Sequence, residues 1–181
     1  MRLLTIGILI ALLCGVPMSA QAADKATLSC LDDEVPVAAH DLIVASMHDA
    51  NVDGTPGPDL LKARDEAVAA IGRCRVRNAW TDQAARHAFG AYIAKLGMAF
   101  TRRPVSDAGL DPDRVIAATR ALSDVQRVAL RTKDPKALEA FALALNAAGV
   151  FPKTYEEGKI IGAFAAFSIT YDESARLFVL A

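Results

Sequence analysis

The chain has 181 residues, 53% of them apolar and 23% charged, with 20 Lys and Arg set against 21 Asp and Glu. A net charge of -1 at neutral pH excludes an overall polyanion-binding signature, and with it a nucleic-acid partner. The length suits one domain with a sizeable core.

Residues 1–22 read as a signal peptide. Arg2 supplies a short positive start, Leu3 to Val16 an apolar run, and Ala20-Gln21-Ala22 a small-residue cleavage site. The apolar run is shorter than the roughly 20 residues a bilayer needs, so no membrane span is expected once the leader is cut. Lipidation at Cys14 is disfavoured because Leu13, before it, is not small. The remaining domain, 23–181, is expected to be periplasmic or secreted. Its two cysteines, Cys30 and Cys74, are expected to form a disulfide in that oxidising setting. Neither has a second cysteine close by, which argues against redox or metal chemistry.

From there the apolar periodicity is helical throughout, rich in Ala and Leu and without strand-like alternation, so the fold class is all-α. Helices are expected near 35–48, 59–78, 82–101, 112–131, 135–147 and 155–168, with a short one near 172–180. Starts are marked by Thr81, by Asp111 and Asp134 each followed by Pro, and by Thr154 with Glu157; Thr170 with Glu173 repeats the last pattern. Gly149 and Pro152 mark a stop. The expected architecture is a single-domain bundle of about six helices. Gly158, Gly162 and Ala166, four apart, line a groove on one helix face where a neighbouring backbone can approach. The apolar run from Ile160 to Ile169 is too short to span a bilayer, so this segment is read as a buried core helix.

The segment Asp49 to Leu60, DANVDGTPGPDL, resembles in its first half an EF-hand calcium loop. Asp49, Asn51 and Asp53 stand at the oxygen-ligand positions, Gly54 at the sharp turn, and Thr55 where a backbone carbonyl serves. Position 12 is Leu60 instead of the closing Glu, and Pro56 is a second departure. Weak calcium binding is one reading and the only cofactor implied. A plain turn built from Asn, Asp, Gly and Pro between two helices is the preferred one. A Cys30–Cys74 bridge would clamp those helices as a hairpin with the loop at its tip, and Cys74 shares a face with Leu60, Ala67 and Ile71.

His40 and His48 are about 12 Å apart in helical rise and cannot chelate one ion by themselves. His87 has no identifiable nucleophile partner, and no catalytic set is legible. Charge is unevenly placed: residues 23–59 carry eight acids and one base, residues 60–133 seven acids and 14 bases. Arg73, Arg75 and Arg77 surround Cys74, while Asp32, Asp33 and Glu34 follow Cys30, so internal charge matching is expected across the disulfide. Arg120, Arg127 and Arg131 fall at helical spacings of seven and four and are candidates for a partner-facing patch, with Arg102 and Arg103 nearby. The sequence thus favours an exported helical protein that binds a protein partner, of inhibitor, immunity or chaperone-like type. The alternatives are a calcium-responsive binding protein and an enzyme whose residues converge only in three dimensions.

Overall fold

The computed structural model describes residues 23–49 and 57–181. Residues 1–22, expected to be a leader, and most of the candidate calcium loop lie outside the described residues. All regular structure among them is helical, and the disulfide between Cys30 and Cys74 is formed. A short 3-10 turn, Lys25–Ser29, leads into α1 (Cys30–Glu34), α2 (Val37–Asp49), α3 (Pro58–Arg77), α4 (Asp82–Asp107), α5 (Pro112–Ala121), α6 (Asp124–Arg131), α7 (Pro135–Ala147) and α8 (Tyr155–Leu180).

Local chemistry sets most of these boundaries. The Thr81 hydroxyl accepts from Ala84 N–H at the start of α4, and Asp111 and Asp134 cap α5 and α7 with Pro in the first turn. Thr154 caps α8 by accepting from Glu157 N–H. Gly149, at φ 73°, takes the left-handed conformation that ends α7.

Four boundaries differ from expectation. Residues 25–34, outside the expected helices, form the 3-10 turn and α1. Helix α4 continues past residue 101 through Pro104 to Asp107. An internal proline removes a helical donor and costs about 3 kcal/mol. Here Val105 is wholly buried and Thr101 nearly so, with Thr101 Oγ1 donating to the Gly97 carbonyl at 2.7 Å, so packing carries the helix across. The expected helix 112–131 breaks at Leu122 and Ser123, where Ser123 and Gln126 form a reciprocal capping box. Helix α8 runs unbroken through residues 169–171, since Thr170 Oγ1 donates back to the Ala166 carbonyl at 2.8 Å instead of capping a new helix.

The antiparallel pair α4 and α8 is the spine of the molecule and its most extensive interface. The two helices, 26 residues each, are about 39 Å long. One core cluster gathers at the start of α4 and the end of α8, around the disulfide, Leu31, Trp80 and Phe178. Trp80 meets Phe178 edge-on at 5.1 Å and donates from its indole nitrogen to Thr27 Oγ1 at 2.9 Å. The second cluster joins the end of α4 to the start of α8, with Val105, Val115, Phe141, Leu145, Ile161 and Phe164.

Candidate functional site

Among the described residues no group of three or more His, Cys, Asp or Glu comes together that could hold a metal ion. Asn51, Asp53 and Thr55 lie outside the described residues, and Asp49 is described only as the last residue of α2. What flanks the loop is visible: α2 packs against α3, and the bridge ties Cys30 in α1 to Cys74 in α3 with Cα atoms 5.9 Å apart. Ala63, Ala67, Ala70 and Cys74 form the buried stripe of α3, with Leu60 and Ile71 partly buried beside it.

Charge is matched across this clamp. Arg73 Nε donates to Glu34 Oε2 at 2.6 Å and Nη2 to the Glu34 carbonyl at 2.9 Å, while Arg77 pairs with the other carboxylate oxygen. Hydrogen bonds from Arg73 first, then Arg77, hold the Glu34 carboxyl below its ordinary pKa. Lys95 Nζ meets Asp32 Oδ2 at 2.5 Å. Close by, Tyr92 is buried, and its hydroxyl is the one buried side-chain polar atom among the described residues that lacks a hydrogen-bond partner. Burial, reinforced by the Asp32 charge, pushes the phenol up to about 12.

The candidate arginine patch is divided by the break at Leu122 and Ser123. Arg120 makes a two-point pair with Asp172 of α8, at 2.9 and 3.0 Å, which raises its pKa further. Arg131 Nη1 meets Glu173 Oε2 at 2.5 Å, and Arg127 pairs with Asp124 within α6. Arg102 pairs with Asp113, and Arg103 with Asp107. The structure therefore brings Arg120 and Arg131 onto the acidic side chains of α8.

A wide concavity lies elsewhere, between α7 and α8. Helix α7 packs on α5 and α6, and α8 on α4 and α5, but α7 and α8 share no extended interface. Between them lies a groove of about 790 Å³, within the range typical of small-ligand sites, roughly 300–1,000 Å³. Its buried floor is Phe141, Leu145, Ile161 and Ile169. The α8 wall is made of Gly158, Gly162, Ala163 and Ala166, all exposed.

That wall corrects the expectation of a buried face. α8 is a core helix, but through Ile161, Phe164, Ala165, Ser168 and Ile169, whereas the small-residue stripe points into the groove. A Cβ added at Gly158 or Gly162 would meet nothing within 4 Å. The contrast with α4 is sharp: a Cβ at Gly90 would lie 2.9 Å from Ser174 Oγ, and one at Gly97 2.3 Å from the Phe167 ring. Close approach explains the α4 glycines; nothing among the described residues explains those of α8. The sequence signal for this groove, small residues four apart, was visible, but whether a neighbour covers them is a tertiary matter.

Comparison of the chain with protein-family models, with curated proteins and with solved structures finds no match.

Proposed function

We propose that this is an exported helical binding protein and that the α7–α8 groove is the surface with which it binds. The observation that carries the reading is the pair of glycines near the start of α8. Gly in a helix interior costs about 1 kcal/mol relative to Ala. At Gly158 and Gly162 no neighbour among the described residues demands it, yet both face a wide apolar groove. A side chain there would fill the groove, and its absence keeps the groove deep. The signal-like leader and the disulfide support export.

Binding of an uncharged, environment-sensitive apolar dye tests this directly. The protein should take up the dye in a 1:1 complex, and Gly162→Leu should abolish uptake without lowering the melting temperature. Dye binding that survives Gly162→Leu would overturn the assignment of the groove.

A further inference from the structure

We propose that the α7–α8 groove takes a single-chain amphiphile with an anionic headgroup, bound as a free monomer, its head at Lys133 and its chain along the small-residue face of α8. This rests on the groove being the binding site and adds the chemistry of the occupant.

The argument begins with charge. Every charged side chain lining the groove is cationic: Arg131, Lys133 and Lys159. Arg131 is neutralised by Glu173 at 2.5 Å and Lys159 by Glu156 at 3.0 Å. Lys133 makes no ion pair among the described residues, so the groove carries one unmatched positive charge. Its place is fixed by the fold. Lys133 sits in the turn between α6 and α7 at φ 58°, a conformation few side-chain-bearing residues adopt, with its N–H donating to the Leu130 carbonyl at 3.0 Å. Asp134, next in the chain, is committed to capping α7 through Lys136 and Ala137 N–H.

The remaining groove is apolar and elongated. Its α8 wall runs from Tyr155 to Ile169, about 21 Å of helix. One uncompensated cation at the α6 end of a long apolar trough is the complement of one anionic head on one apolar chain. An acidic partner helix laid in the same groove would bring charges along its whole length and meet, among the described lining residues, one free cation. Gly158 and Gly162 then have a role, since a chain can lie where a Cβ would otherwise stand.

Calorimetric titration of the purified protein tests the proposal with dodecanoate, decanoate and dodecylamine, each below its micelle-forming concentration. Dodecanoate is expected to bind 1:1. Decanoate should bind about fifteenfold more weakly, from roughly 0.8 kcal/mol for each of two buried methylenes. Dodecylamine should bind at least tenfold more weakly than dodecanoate, and Lys133→Glu should reverse that order. Gly162→Leu, whose Cβ would meet no atom within 4 Å, should abolish dodecanoate binding with the melting temperature maintained. Equal affinity for dodecanoate and dodecylamine, or a headgroup preference unaltered by Lys133→Glu, would overturn the proposal. So would binding to anionic phospholipid vesicles, or to an acidic amphipathic helical peptide, without uptake of free dodecanoate. If Gly162→Leu still abolishes dye uptake in those cases, the groove stands as the binding site and only its occupant is refuted; if Gly162→Leu alters neither dye nor dodecanoate binding, both readings fall.

Discussion

Gly97 of α4 lies so close to Phe167 of α8 that a Cβ at Gly97 would stand 2.3 Å from the ring's Cδ1. The spine of the protein is therefore set by the absence of one methyl group. Gly97→Ala should destabilise by about 1–3 kcal/mol, the usual cost of forcing extra volume into a packed interface. In a Phe167→Ala background the same change should become neutral or favourable, because alanine is the better helix former. A double-mutant cycle by urea denaturation measures this. Equal costs in the two backgrounds would show that the contact does not set the helix separation.

The Cys30–Cys74 bridge closes a segment 44 residues apart in sequence. The chain-entropy model gives about 4 kcal/mol for a loop of that length, a large part of the 5–15 kcal/mol typical of a whole domain. Cys30→Ser and Cys74→Ser should each lose a similar amount, and the double variant no more than either, since all three remove one bond. Additive losses in chemical denaturation would contradict this, as would two free thiols in the unreduced protein.

Stability should fall at both ends of the pH scale for identifiable reasons. The Glu34 carboxyl is held below its ordinary value by Arg73 and Arg77, so its contribution is present above the unfolded pKa of about 4.5 and lost as pH falls through the folded one. Glu34→Gln should flatten that acid limb. The Tyr92 phenol is raised to about 12 against 10.0 in the unfolded chain. Its contribution is intact below pH 10.0 and is lost as pH rises toward 12. Tyr92→Phe should be nearly neutral at pH 7, because the hydroxyl it removes has no partner, and should weaken the alkaline loss. Denaturation midpoints at pH 3, 7 and 11 for the parent and both variants check each sign.

The segment 49–60 is not expected to hold calcium, because Leu60 stands where a closing Glu would be. Millimolar calcium should accordingly leave the melting temperature where magnesium leaves it. A calcium-specific rise that disappears in Asp49→Ala or Asp53→Ala would instead establish the loop as an ion site by mass action.

The residues alone determined the all-α class, the caps at Thr81, Asp111, Asp134 and Thr154, and the pairing of Cys30 with Cys74. Each depends on chemistry between near neighbours in the chain or, for the bridge, on Cys30 and Cys74 being the two cysteines outside residues 1–22. Tertiary packing decided the rest. Pro104 failed to end α4 because Thr101 and Val105 are buried beside it, and Thr170 failed to start a helix because α8 was already continuous along α4. Arg120 and Arg131 found their acids on α8, 52 and 42 residues away, distances no periodicity spans. The glycines show the limit most plainly. Gly90 and Gly97 are pressed against α8, while Gly158 and Gly162 open onto the groove, although both pairs are small residues in a long helix. A sequence specifies the volume a side chain occupies, but only the placement of other helices decides whether the space it leaves is filled.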